Sequence, residues 1–329
     1  MKFKIFLLAI ALTALTACMQ SQDCFSEEVF CAALVTDTRG INDYGMNQET
    51  WDGLEESKAG GLADQVEYIE SVDARDYEKN IAYFAERGFD VIFTTGPGMD
   101  DETLRSADLY PDSVFVGISQ PQAEVRPNLT SVTFAEDQMG FLAGVLAARL
   151  SEMRVVGAAC ETSEIDSMWR YCEGFRAGVL SVDENIKVMV TYRENASRES
   201  LFIDDDWGYE TGLALIRQGA DVIFAAGGVT GEGALRAALD EQVEAIGAER
   251  DQGAAGYGVV SSVYGRASFE VQNMIRLLRG GNVWEQANGQ FGYVPFNQKF
   301  PESLAREMDS VILGLLNGEI KTNVSPQKP

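Results

Sequence analysis

The stretch TDTRGINDYGMNQETWDG sets Asp37, Asn42, Asp43 and Asn47 directly after an apolar run, with Gly40 and Gly45 loosening the backbone between them. Carboxylates and carboxamides in a loop that leaves a buried strand do one of two things. They offer acceptors and donors to a ligand, or they satisfy the turn they sit in. The residues alone leave both open. Histidine chemistry, by contrast, is excluded, because the chain has no histidine. Ser-His-Asp and Cys-His catalysis and the commonest zinc ligand sets go with it. Carboxylate, lysine and cofactor chemistry stay open on these grounds.

A second stretch, GFDVIFTTGPG (88–98), runs from an apolar strand into a glycine turn, as dinucleotide-binding loops do. The glycine fingerprint fails, since Asp101 stands where the third glycine belongs. The related Gly228 to Gly233 run misses it too. The chain carries 51 acidic and 26 basic residues, a formal charge of −25. That field opposes phosphate, nucleic acid and anionic lipid surfaces.

The elements that position these residues read as alternating strands and helices. The 329 residues, 46% apolar and 23% charged, are enough for two domains with their own cores. CAALV, QVEYIES, DVIF and SVFVGIS are strands, separated by helices through WDGLEESKA, DYEKNIAYFAERG and TLRSADLYP. The series restarts at MRVVGAA and continues through IKVMVTY, a second DVIF and VEAIGAE, with helices at WRYCEGFRAGVL, DWGYETGLALIRQG and ALRAALDE. This is an α/β pattern of parallel sheets covered on both faces. Aligned without gaps, 88–107 and 219–238 agree at nine of twenty positions. The period is domain-sized, so two similar lobes are expected. Ligands bind at the C-terminal strand ends of such sheets. The loops at Thr94–Gly98 and at Ala225, Gly227 and Gly228 are therefore expected to face each other across a cleft.

The N-terminus has a basic start, MKFK, and an apolar stretch too short to span a membrane, ending Leu15-Thr16-Ala17-Cys18. This reads as a signal peptide over 1–18 closing on a lipobox cysteine, with lipidation of Cys18 and an extracytoplasmic protein tethered through 19–30. The other four cysteines are even in number, and an oxidising compartment permits two bridges. Of the three connectivities, Cys24–Cys31 and Cys160–Cys172 are expected, because each closes a short loop.

Residues 34–53, LVTDTRGINDYGMNQETWDG, resemble the signature of the basic membrane protein family of bacterial substrate-binding lipoproteins. The similarity continues through NLTSVTFAEDQMGFLAGVLAA, YCEGFRAGV, FIDDDWG, GADVIFAAGGVTGEGAL, AIGAERDQ and the terminal SPQKP. The resemblance implies a type I periplasmic-binding-protein fold, two doubly wound parallel-sheet lobes joined by a three-crossing hinge. The lobes are expected at 31–134 plus 260–288 and at 135–259 plus 289–329. The crossings are expected near Phe134, Arg250–Gly258 and Gly289–Val294.

It also implies a lipid-anchored receptor of an ABC importer, with permease and ATPase subunits as partners and a purine nucleoside held in the cleft by hinge closure. No catalysis, cofactor or metal is implied. A nucleosidase using Asp37 or Glu249 would lack a histidine general acid, and a sensing lipoprotein without transport remains an alternative. On this resemblance Asp37 and Asn47 meet the base edge, and Phe202 and Met46 sandwich the ring, Met46 standing where the family has Phe. Glu249 replaces an aspartate on the ribose side, with Asp251 beside it. Ser119 replaces an acidic residue, and Gly265 a lysine. Gly227 and Gly228 approach the ligand through backbone, and Trp169 is a further cleft aromatic.

Overall fold

The computed structural model describes residues 23–329 apart from 97, 123, 125, 198–199, 254–257, 282–285, 289–290 and 294–300. The expected signal peptide, Cys18 and the first part of the expected tether lie outside the described residues.

The first sheet contains β1 (Cys31–Thr36), β2 (Gln65–Glu70), β3 (Val91–Thr95), β4 (Val114–Ile118), β5 (Leu129–Thr133) and β11 (Gln286–Asn288). Its order is β11-β5-β4-β3-β1-β2, parallel throughout. The second contains β6 (Val155–Cys160), β7 (Lys187–Tyr192), β8 (Val222–Ala226), β9 (Glu244–Ala248), β10 (Ser261–Gly265) and β12 (Phe291–Tyr293). Its order is β12-β10-β9-β8-β6-β7, with only the β10–β12 pair antiparallel. Apart from the edge strands β11 and β12, the two orders are the same series shifted by five strands. The repeated DVIF segments are β3 and β8, each fully buried in the middle of its sheet. That burial on both faces is why the shared VIF triplet is apolar without alternation.

Helices α1 (Met46–Ala59), α2 (Tyr77–Ala85) and α3 (Asp100–Leu109) accompany the first sheet. Helices α4 (Glu136–Leu150), α5 (Asp166–Val182), α6 (Asp205–Arg217) and α7 (Gly228–Asp240) accompany the second, and α8 (Ala267–Arg279) and α9 (Glu302–Leu316) follow. Ile81 and Phe84 on α2 are fully buried, the face that their spacing predicts. Helices α4 and α5 of the second lobe touch backbone to backbone. A Cβ at Gly140 or Gly144 of α4 would come within 2.0 or 2.1 Å of the Tyr171 or Phe175 carbonyl on α5. Gly174 and Gly178 of α5 return the same fit against Asp137 and Phe141.

The chain changes sheets between β5 and α4, between β10 and α8, and between β11 and β12. One boundary differs from expectation. Ser261–Gly265 pair in parallel with β9, so they extend the second sheet, where the sequence had assigned 260–288 to the first lobe. The second change of lobe therefore falls at Arg266 and not within Arg250–Gly258. From there α8 packs on α1, with Gly53 lying against the Ser268 backbone. The open edge beside β9 accepts one more short, largely buried strand before the chain leaves. The crossing expected at Gly289–Val294 lies partly outside the described residues.

Both expected disulfides are formed, Cys24–Cys31 fastening the tether to β1 and Cys160–Cys172 joining the end of β6 to α5.

Candidate functional site

The first lobe brings Asp37, Asn47 and Thr95 together at the ends of β1 and β3. Asn47 donates Nδ2–H to Asp37 Oδ1 at 2.9 Å, and the Thr95 hydroxyl donates to Asn47 Oδ1. A side chain at position 96 would overlap the Asp37 carboxylate, and Gly96 holds φ +104°, so only glycine fits this turn. Behind it, Gln120 Oε1 accepts from the Thr94 and Thr103 hydroxyls at 3.1 and 3.0 Å. Asp43 accepts the backbone N–H groups of Gly45, Asn47 and Gln48, which fixes the entry to α1. Asn42 is exposed. Turn chemistry therefore occurs at Asp43, while Asp37 and Asn47 form a buried acid–amide pair.

The second lobe places Glu161, Gly227, Gly228 and Glu249 at the ends of β6, β8 and β9. Glu249 Oε2 accepts the N–H groups of Gly227 and Gly228 at 2.7 and 2.6 Å, a carboxylate seated on the start of α7. Glu161 is wholly buried. Its Oε2 accepts from the Phe202 N–H at 2.7 Å and the Thr230 hydroxyl at 3.0 Å, and its Oε1 from Arg193 at 3.4 Å. Phe202 is held at φ +67°, and Tyr44, Ser119 and Glu249 also lie at positive φ. Such non-glycine positions cluster where structure over-determines a functional geometry.

The two lobes meet at Arg39. Its Nε–H donates to Asp37 Oδ2 at 2.8 Å, its Nη1 lies 3.7 Å from Asp43, and its guanidinium carbon sits 4.5 Å from the centre of the Phe202 ring. The side chain is only 8% exposed. Burial works against the Arg39 charge, but Asp37, Asp43 and Glu249 together outweigh it and raise its pKa. Burial also raises Glu249 and Asp43, against the opposing pull of the glycine N–H groups on Glu249 and of Arg39 on both. Gly228 lies against the Asp43 carbonyl and the Phe202 backbone, so the lobes are closed on one another here. A second bridge joins Arg250 to Gln48, with the guanidinium over Tyr44.

The chain also matches known proteins in sequence and in fold. The model of the Bmp family, described as ABC transporter substrate-binding protein PnrA-like, covers residues 30–295. The chain belongs to this family. An ABC transporter nucleoside-binding protein, BmpA, of Lactococcus lactis is 32% identical over 67% of this chain. That alignment spans 64% of the relative, a little under two thirds of its length. A CD4+ T-cell-stimulating antigen of Listeria monocytogenes is 29% identical, over 77% of this chain and 74% of that one. Among solved structures, an ABC transporter solute-binding protein from Aeropyrum pernix superposes with a TM-score of 0.73, at 17% identity, over 89% of this chain and 92% of that one. The fold is the type I periplasmic-binding-protein arrangement.

Set on this family fold, Asp37, Asn47, Phe202, Gly227, Gly228 and Glu249 gather where the lobes meet. Ser119 and Glu249 occupy equivalent places. Each follows the fourth strand of its lobe, and each donates its N–H to the next strand, to Val132 and Val263 respectively. Asp251 lies half-buried two residues further on. Met46 opens α1, half-buried against the large core, and the group on the Phe202 ring is the Arg39 guanidinium. Trp169 stacks on Tyr192 at 6.0 Å and donates to the Ser325 carbonyl, so it fastens the C-terminal segment to α5. The place a side chain at 265 would fill is taken by the Phe134 ring. Arg39 and Glu161 were not singled out from the sequence. Arg39 reads as one more loop cation, and Glu161 as an acid after a strand. Glu161 finds its partners only once its own lobe is folded, and Arg39 meets Phe202 only across the lobes.

Proposed function

We propose that this chain is the lipid-anchored, extracytoplasmic receptor of an ABC importer, closing its lobes on a small heteroaromatic ligand, with purine nucleosides the first class to test. The observation that carries the reading is the convergence at one interlobe position of an acid–amide pair, Asp37 and Asn47, with the Phe202 ring of the other lobe. A carboxylate and a carboxamide together read N–H and acceptor atoms on a base edge, and the ring offers a stacking face. Contacts from both lobes favour the closed state over the open one, so ligand capture and closure are one event. The nucleoside-binding name of the Lactococcus relative supports the ligand class. The lipobox at Cys18 supports the anchor, and no helix among the described residues is long and apolar enough to cross a membrane.

The deciding experiment is calorimetry and thermal shift on the mature protein against nucleosides, nucleobases and other small heteroaromatics. A ligand that binds the folded state raises the melting temperature according to its affinity. Saturable binding of a nucleoside supports the reading; silence from every nucleoside while another class binds replaces the ligand assignment.

A further inference from the structure

The position on Phe202 that a stacked ring would use is already filled by the protein itself. Arg39 comes from the first lobe, and its planar guanidinium lies 4.5 Å from the ring centre, too close to admit a ring system between them. It is held on its own side by Asp37 at 2.8 Å and Asp43 at 3.7 Å, whose side chains are 6% and 0% exposed, and it feels the Glu249 carboxylate of the second lobe. The cage is therefore two buried carboxylates holding a planar cation on an aromatic face, with the buried Glu249 adding negative charge from the other lobe. Such a cation over a ring is favourable in itself, more so when desolvated.

We propose that Arg39 is the specificity-determining residue of the cleft, an internal occupant that a ligand must expel, and that the cage it vacates selects planar heteroaromatic cations over neutral rings of the same shape. A neutral ring that displaces Arg39 leaves buried carboxylates without their counter-charge, and breaking a buried pair in this way is strongly unfavourable. A planar cation replaces the guanidinium like for like. Discrimination thus comes from a penalty on the wrong ligand as much as from attraction to the right one. The inference rests on the reading of this cleft as the ligand site and narrows what it takes.

The test compares the mature wild-type protein with Arg39→Ala and Arg39→Gln, using three probes. Adenosine is the neutral ring, 1-methyladenosine its cationic counterpart near neutral pH, and methylguanidinium a free copy of the displaced group. Wild-type protein is expected to bind 1-methyladenosine more tightly than adenosine by roughly tenfold or more. Both variants are expected to bind adenosine more tightly than wild type, since nothing has to be expelled. Methylguanidinium is expected to raise the melting temperature of the variants and not of wild type. Equal wild-type affinity for the two nucleosides overturns the selectivity, and weaker adenosine binding by the variants makes Arg39 a direct ligand contact instead of a competitor. If no nucleoside binds any form, the nucleoside assignment fails, and the methylguanidinium arm still decides whether the cage exists. No methylguanidinium stabilisation of either folded variant overturns it.

Discussion

Glu161 accepts the backbone N–H of Phe202 at 2.7 Å and so fixes the ring on which Arg39 of the first lobe lies. The same carboxylate serves the Thr230 hydroxyl and Arg193, and Arg193 continues to Asp204 at 2.6 Å. Removing it leaves Arg193 with one fewer counter-charge and an unmet N–H at Phe202. Glu161→Ala is therefore expected to cost about 3–5 kcal/mol of stability, the range for breaking a buried pair, read by urea unfolding. An unchanged midpoint would mean that Asp204 alone satisfies Arg193.

Phe202→Ala is expected to weaken binding of the cleft ligand by about 1–3 kcal/mol, the worth of one base–aromatic stack. Calorimetry with whichever nucleoside binds wild type measures it. An unchanged dissociation constant removes Phe202 from the site.

Much of this arrangement was legible in the sequence, and the reason is periodicity. The buried strands of a parallel sheet are apolar runs, and β3 and β8 advertise both themselves and the internal repeat through DVIF. The nearest-neighbour disulfides followed from loop length. Nothing in the short, largely buried string SSVYG at 261–265 marks which sheet edge takes it, and it joins the second sheet beside β9. Arg39 was overlooked for a related reason, since its meaning depends on Phe202, far away in sequence and on the other lobe. The string MGFLAGVLAA was recognisable, but its glycines acquire a purpose only when α4 meets α5.

That helix contact gives a sharp prediction. A methyl at Gly144 would sit 2.1 Å from the Phe175 carbonyl and 2.8 Å from the Val179 nitrogen, both backbone atoms that cannot move aside alone. Although alanine is the better helix former, Gly144→Ala is expected to destabilise by about 3 kcal/mol or more, since overpacking here forces whole helices apart. Urea unfolding or thermal melting checks this; a variant as stable as wild type would show that α4 and α5 separate freely.

The Cys160–Cys172 bridge closes a loop with a sequence separation of 12 between a fully buried strand end and a fully buried helix position. Loop-closure entropy assigns such a cross-link about 3 kcal/mol. Cys160→Ala with Cys172→Ala is expected to lower unfolding stability by that order, whereas cutting Cys24–Cys31 acts mainly on the tether. Reduction followed by thiol labelling and mass spectrometry should modify Cys24 and Cys31 first, because Cys24 is partly exposed. Labelling of Cys160 and Cys172 ahead of them would contradict that ordering.

Stability is expected to fall as pH rises through neutrality. Glu49, on α1, faces Arg250 and Asp251 from the second lobe, and its pKa is pushed from 4.5 up to about 7. Burial is the chief cause, Asp52 adds to it, and Arg250 and a backbone hydrogen bond from Ser268 oppose it. Because the folded pKa lies above the unfolded one, the protonated acid is the form that the closed structure prefers. Its contribution is complete below pH 4.5 and is lost as pH climbs through about 7. The shift corresponds to about 3 kcal/mol at most, and residual solvent contact reduces this to about 1–2 kcal/mol. Asp43 and Glu249 are raised in the same direction by burial. Urea unfolding of wild type and Glu49→Gln across pH 5 to 8 separates the contributions, because the variant cannot titrate at this position. Its curve should be flatter and should lie above wild type at the alkaline end. Parallel curves would show that Glu49 stays ionised in the closed lobes and that Arg250 outweighs its burial.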